Sequence, residues 1–314
     1  MQALPTLARE QLQLLQHQPA AVHRGVSIAA ITGLDIGPPL SSAVSALRDG
    51  TLIVTELPGE ARVPELEARN DGPYAILLVP GFELLGGLQN RVVNAPVVIK
   101  PGISLRVPCS CLEEGRWGSA RGNTSFTSKG RTVPPILRHS LYRSSGASLM
   151  SRRDRRSDQG EVWREIDRES TRSRVRSRTS ALSDLLDAQE HRQGTTEPWP
   201  TVPRQVGAFA SLGVSRGLEV FSSSDGFDQQ GRATLDAFAR VAEGSPAAPP
   251  ELQVDQTAHD LLKNIGEAEW SPHAGVGAGT EYRATIGTFE AVALVLDESL
   301  VYLSAVAVES EGVR

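Results

Sequence analysis

The side chains best suited to chemistry lie within residues 81–117, in two polar clusters that each follow an apolar run. The first cluster holds Glu83 and the tripeptide Gln89-Asn90-Arg91. The second holds Cys109, Cys111, Glu113, Glu114, Arg116 and Trp117. Amides beside an arginine offer donors and acceptors next to a fixed positive charge, which suits a purine edge, a ribose or a phosphate. Gly86-Gly87, just before them, lets a backbone approach a ligand closely or simply turns the chain. Glu113 is the candidate for general acid/base work or ligand hydrogen bonding, with Glu83 in support. Cys111 becomes a candidate nucleophile if Arg91 or Arg116 draws it toward the thiolate. Glu113 acts against that, because a neighbouring carboxylate raises a thiol pKa. Arg116 and Trp117 can sandwich a flat ring. Each group also has a plainer use: buried cysteine behaves as a small hydrophobe, amides stabilise loops, and arginine packs on tryptophan.

Strands must hold these groups in place. From Ile103 the odd positions are Ile103, Leu105, Val107, Cys109 and Cys111, while the even ones include Ser104, Arg106 and Ser110. That alternation predicts a half-buried strand, and a continuing pleat would point Glu113 the same way as Cys111. Pro108 cannot donate to a ladder, so the strand is expected to be at an edge or broken there. Residues 96–100 read as another strand. Upstream, strands are expected at 26–31, 51–57, 63–68 and 74–79, the last two joined as a hairpin by Asn70-Asp71-Gly72-Pro73. Residues 118–158 turn to Ser, Arg, Gly and Pro with little periodicity, which predicts a mobile basic flap or insert. Helical periodicity returns at 159–178, around Leu182–Leu186, at Leu235–Val241 and at 252–265. Strands are expected at 205–212 and 217–221, and again at 281–286, 289–296 and 300–306. Strands at both ends, helices in the middle and no regular alternation of the two predict an α+β fold with mainly antiparallel sheets. The expected organisation is an extension over 1–25, one domain over 26–306 carrying the insert, and a tail over 307–314.

Composition narrows the class. The chain has 314 residues, near-average apolar and charged fractions, and only two cysteines. Two cysteines one residue apart cannot staple a fold and fit a reducing compartment. No apolar run approaches the roughly 18 residues of a spanning helix, and residues 1–18 lack the pattern of a secretory signal. A cytoplasmic protein with no membrane partner is the expectation. The net charge of −5 conceals an asymmetry: residues 116–178 hold sixteen Lys/Arg against six Asp/Glu. Such a basic middle could attract phosphate, nucleotide or nucleic acid. Gly275-Val276-Gly277-Ala278-Gly279 precedes a strand rather than a helix, so it is no dinucleotide fingerprint. The six histidines show no metal-ligand spacing, and no metal is expected.

Several blocks together resemble the ARPP domain family, the bacterial proteins associated with ADP-ribosylglycohydrolases and rhodanese-phosphatases. They are Gly81-x-Glu83-Leu84-x-Gly86 with Gln89-Asn90-Arg91, and Val107-Pro108-x-Ser110-Cys111-x-Glu113-x-Gly115-Arg116-Trp117. Gln159-Gly160-Glu161-Val162-Trp163, Gln205-Val206-Gly207, Gly217-Leu218-Glu219-Val220-Phe221 and the closing Tyr282-Arg283 and Val301-Tyr302-Leu303-Ser304 are also similar. Phe82, Leu88 and Tyr302 depart from the family, where a second acid, a lysine and a histidine are frequent. The resemblance implies a role in NAD and ADP-ribose metabolism, with NAD or ADP-ribose as the candidate ligand. Glu113, Glu83 and Cys111 are the catalytic candidates. Gln89, Asn90, Arg91, Arg116, Trp117 and Arg283 are the ligand-binding ones. Whether the domain is an enzyme, and its oligomeric state, stay open at this stage. The partner expected is a nucleotide-like small molecule rather than nucleic acid. The alternative is a non-enzymatic interaction or regulatory module whose basic flap docks an acidic partner or nucleic acid. A third reading has the polar blocks merely satisfying one another.

Overall fold

Asp297 and Glu298 both take positive φ, 50° and 64°, the two-residue hairpin geometry whose twist matches its strands. They join Phe289–Leu296 to Ser299–Val308 in the centre of a nine-stranded antiparallel sheet. The computed structural model describes residues 1–33, 37, 39–57, 64–116, 124–194, 197–242 and 248–309. Outward from Ser299–Val308, one side of the sheet adds Ser215–Phe221, Gln205–Leu212 and Val26–Thr32. The other adds Phe289–Leu296, Thr280–Ile286 and Ser271–Ala274. Gln16–His17 and Ala21–His23 both pair with Val26–Thr32, so the stretch read as an extension contributes two short strands to this sheet. The fold is α+β with mainly antiparallel sheets, as the residue pattern predicts.

Ser299–Val308 is buried at almost every position, because both faces of the sheet are covered. Leu218, Leu303 and Ala305 share one face and join a core with Leu12 of helix Thr6–Gln13 and Leu261 and Ile265 of helix Glu251–Glu267. Helix Pro135–Arg152 covers the other face. Two smaller sheets complete the architecture. One runs Val276–Gly277, Val97–Ile99, Ala75–Leu78, Leu40–Ser42. The other runs Phe126–Thr127, Glu83–Gly86, Arg91–Val93, Ser104–Cys111, Glu65–Asn70, Leu52–Thr55.

Two expectations change. Glu65–Asn70 and Ala75–Leu78 flank a turn but do not form a hairpin; they belong to different sheets. Asn70 makes that corner: its side chain accepts from Gly72 N at 2.9 Å and donates to the carbonyls of Tyr74 and Ile99 at 2.8 Å. The turn chemistry is right, but the chain it redirects finds better partners elsewhere. The second change concerns residues 118–158. Among the described residues of that stretch, 135–152 form an 18-residue helix with Leu137, Leu141, Tyr142, Ser145 and Leu149 buried. Pro108, by contrast, behaves as its chemistry dictates: Ser104–Cys111 pairs with Glu65–Asn70 up to Pro108 and with Arg91–Val93 after it. Helix Gln159–Ser173 starts on Asp158, whose side chain accepts from Glu161 N, and ends at Arg174 in the left-handed region. The residues beyond that point, up to Arg178, lie outside any helix. Among the described residues no helix is long and apolar enough to cross a membrane.

Candidate functional site

Strand register decides which of the anticipated side chains meet. Cys111 pairs directly with Arg91, and residues directly opposite in an antiparallel pair share a face. Arg91 Nη1 accordingly donates to Cys111 Sγ at 3.0 Å and to Gln89 Oε1 at 3.3 Å, and Cys111 Sγ–H donates to the same Gln89 Oε1 at 3.0 Å. Gln89 Nε2 then donates to the Glu113 carbonyl at 2.7 Å. The Glu113 carboxylate is enclosed in turn: Arg116 Nε donates to Oε2 at 2.8 Å, Thr179 Oγ1 to Oε1 at 2.7 Å, and Asn90 N lies 3.4 Å from Oε2. Arg116 also donates to the carbonyls of Gly86 and Gly87 and to Asn90 Oδ1. Gln89, Asn90, Arg91, Cys111, Glu113 and Arg116 thus form one polar pole, and Arg116 alone of the six reaches the surface appreciably, with its side chain 30% exposed.

Packing explains the paired glycines of this pole. A Cβ on Gly87 would come 2.3 Å from the Phe126 ring and 2.6 Å from Glu56 Oε1, and one on Gly86 would come 2.5 Å from the Ser125 carbonyl. Both also take positive φ. They are required by the protein's own chain. Glu56, which the sequence does not single out, lies 3.6 Å from Arg91 Nη2 and accepts from Leu88 N at 2.9 Å. Both partners of that pair are buried.

Electrostatics separates the two chemical roles foreseen here. Burial pushes the Cys111 thiol up to about 11, outweighing the pull of Arg91. Cys109 is pushed up further by the same cause. Cys111 is therefore a thiol at neutral pH, serving as a hydrogen-bond donor. Glu113 has both carboxylate oxygens engaged by donors, which fits it to hold Arg116 and Asn90 in place.

Glu83 lies elsewhere. It pairs with Val92, one residue out of phase with Arg91, so its side chain leaves on the opposite face. There Arg131 Nε donates to Glu83 Oε2 at 2.7 Å, and Arg131 Nη1 reaches Asp187 and, at 3.3 Å, Glu190. Burial pushes the Glu83 carboxyl up against the pull of Arg131. Arg283 is in a third place, on Thr280–Ile286 in the large sheet, where its Nε donates to Glu281 Oε1 at 2.6 Å. Trp117 lies outside the described residues. The groups anticipated as one site are therefore six together, one behind them, and one on another sheet.

Sequence reading passes over a second set of deeply buried charges. Arg138 and Glu219 are each 2% exposed and pair directly, and Tyr302 Oη and Ser304 Oγ also donate to Glu219. Arg155 Nε donates to the second oxygen of Glu281 at 2.6 Å. A single acid inside an apolar strand, as in Gly217-Leu218-Glu219-Val220-Phe221, is the signal that could have found them. Their arginine partners are hidden among the many of the basic middle. Among the described residues, no three His, Cys, Asp or Glu side chains are grouped to hold a metal ion.

Neither the curated proteins nor the solved structures contain a match to this sequence. A family model does match: that of the ARG and Rhodanese-Phosphatase-superfamily-associated Protein domain, over residues 15–306. Nearly the whole chain is covered, including both polar blocks of the pole and the strands that carry them. The chain belongs to the ARPP-1 family.

Proposed function

We propose that this protein is a binding domain for a phosphate-bearing small molecule of the ADP-ribose or NAD type, taken up where Arg116 meets the surface. One observation carries the reading: six of the anticipated side chains converge on a pole whose outermost member is a partly exposed arginine fixed in place by Glu113 and Asn90. More positive charge stands beside it. Gly115 N donates to Thr179 O at 2.8 Å, which lays the run before Thr179 against the chain at Arg116, and Arg174, Arg176 and Arg178 of that run are exposed. Exposed guanidinium groups suit phosphate oxygens, with which a guanidinium can form two parallel hydrogen bonds. The family's association, through its name, with ADP-ribosylglycohydrolases supports the same substrate class. Binding fits better than catalysis, because Glu113 is saturated with donors and Cys111 is held as a thiol.

The docking-module alternative draws less support. Arg131, Arg138, Arg143, Arg155, Arg168 and Arg172 of the basic middle all pair with acids of the protein itself. Much of the positive charge that looks free in the sequence is paired with acids of the same chain.

Thermal-shift titration with ADP-ribose, NAD, AMP and nicotinamide tests the proposal. A ligand at a hundred times its dissociation constant stabilises by about 2.7 kcal/mol. ADP-ribose or NAD is expected to raise the melting temperature and nicotinamide alone is not. Arg176→Glu with Arg178→Glu, both at exposed positions, should remove the shift while leaving the melting temperature of the free protein unchanged. No shift with any phosphate-bearing compound overturns the proposal.

A further inference from the structure

A cavity of about 350 Å3 lies between helix Pro135–Arg152 and the strands Ser271–Ala274, Thr280–Ile286 and Phe289–Leu296, away from the pole around Arg116. Tyr142, Arg143 and Met150 line it from the helix, and Ser271, Arg283 and Glu290 from the sheet. Its volume is within the usual range for small-molecule sites, near the lower end of about 300–1,000 Å3.

The hydrogen-bond count around this cavity does not close internally. Glu281 is fully buried and accepts from both Arg283 and Arg155 at 2.6 Å. Two guanidinium groups share that one carboxylate, and Glu290 on the cavity wall is the second acid beside them. Arg283 is itself 8% exposed, and its Nη2 is buried with no hydrogen-bond partner. A buried donor left unpaired costs about 1–3 kcal/mol, a penalty that an acceptor entering through the cavity would relieve. The Tyr142 ring sits 5.7 Å from the Arg283 guanidinium and forms an aromatic wall. Met150, Ala147 and Ala284 add apolar surface. Glu290 stands on the same wall, so a doubly charged phosphate would meet a like charge there, whereas a monoanion meets less repulsion and still brings an acceptor to Nη2.

We propose that this cavity binds a small amphipathic monocarboxylate, with its acid on Arg283 and its apolar body against Tyr142 and Met150. The site is independent of the phosphate site at Arg116 and carries a different ligand chemistry.

Calorimetric titration of the full chain with benzoate, hexanoate, benzamide and inorganic phosphate tests it. At least one of the two acids should bind, and benzamide, the neutral isostere of benzoate, should bind at least tenfold more weakly than benzoate. Inorganic phosphate should give no saturable heat. Arg283→Gln should abolish acid binding. Should that variant unfold, Met150→Trp carries the test alone: Met150 is 63% exposed and outside the ion pairs, so a tryptophan there fills the cavity without disturbing them. The proposal is overturned if neither acid binds with a Kd of about 10 mM or tighter. Benzamide matching benzoate, phosphate matching the acids, or Met150→Trp binding as wild type would overturn it equally.

Discussion

Leu303 and Ser304 are neighbours in one strand and face opposite sides of the nine-stranded sheet. On the Leu303 side, Phe209, Leu218, Ala293 and Ala305 pack with Leu261, Ile265 and Trp270. On the Ser304 side, cross-strand pairing sets Glu219, Ser304, Val292, Arg283 and Ser271 in one row beneath helix Pro135–Arg152. Arg138 of that helix pairs with Glu219, and Tyr142 Oη donates to Ser304 Oγ at 3.0 Å. Both faces are covered, yet they specify their partners differently. The apolar side accepts any helix of suitable shape and volume. The polar side accepts only a helix that brings a guanidinium to Glu219 and a hydroxyl to Ser304, because a charge left behind is costly. The difference teaches how Pro135–Arg152 is held in one position along the sheet, and with it the helix wall of the Arg283 cavity.

The sharpest way to break that comparison is to remove one charge and then both. Glu219→Met should cost about 3–5 kcal/mol in urea unfolding, because it strands Arg138 in the core. Leu303→Ala on the other face should cost about 2–5 kcal/mol through its cavity, so the single losses overlap. The second substitution separates them. Arg138→Met added to Glu219→Met should recover most of the loss, since an apolar pair of similar volume often matches a buried ion pair. A double variant no more stable than Glu219→Met would mean that Arg138 is not held by Glu219 and would remove the contrast.

The same contrast explains what could be read in the sequence. Phe289–Leu296 and Ser299–Val308 are continuous apolar runs bounded by a turn, and the residues fall where their pattern predicts. Pro135–Arg152 is not legible by that logic. Its buried face mixes Leu137, Leu141 and Leu149 with Arg138, Ser140, Tyr142 and Ser145, so polar residues interrupt the apolar ones at helical spacing. The helix that lies on the polar face carries a polar stripe, and a polar stripe looks like loop. The pole around Glu113 was legible for a related reason: Gln89-Asn90-Arg91 and Cys111-Leu112-Glu113 are unusual polar groupings at strand ends. That Glu83 leaves on the other face was not, because only the pairing of Glu83 with Val92 reveals the phase.

Acid should affect the two faces unequally. Burial works against ionised Glu281, but Arg283 and Arg155 outweigh it and hold the carboxyl below the ordinary glutamate range, which lies near about 4.3. A carboxylate held down in the folded state contributes stability above its unfolded pKa and loses it as pH falls through the folded value. Stability should therefore decline as pH drops below the ordinary glutamate range, and Glu281→Gln should flatten that part of the profile while lowering stability at neutral pH. Substitutions on the apolar face, such as Leu303→Ala, should shift the whole profile without changing its slope. Denaturant midpoints collected across acid pH check this, and a Glu281→Gln profile parallel to wild type would contradict the assigned triad.

The smallest effect probes adjacent residues. Ser304→Ala deletes the acceptor of Tyr142 and a donor to Glu219, 3.2 Å away, and should cost about 1–3 kcal/mol. Ala305→Ser should cost about 1–3 kcal/mol for the opposite reason, a hydroxyl brought into an apolar layer. The totals are too close to tell the faces apart, but their coupling to Tyr142→Phe is not. Removing the Tyr142 hydroxyl also removes the donor that Ser304→Ala leaves without its partner, so that pair should lose less than the sum of its parts, with a coupling of about 0.5 kcal/mol or more. Ala305 shares no partner with Tyr142 and lies across the sheet from it, so that combination should add within about 0.5 kcal/mol. Equal coupling at both positions would mean that the sheet transmits the change from face to face, and the two cores would then be one energetic unit.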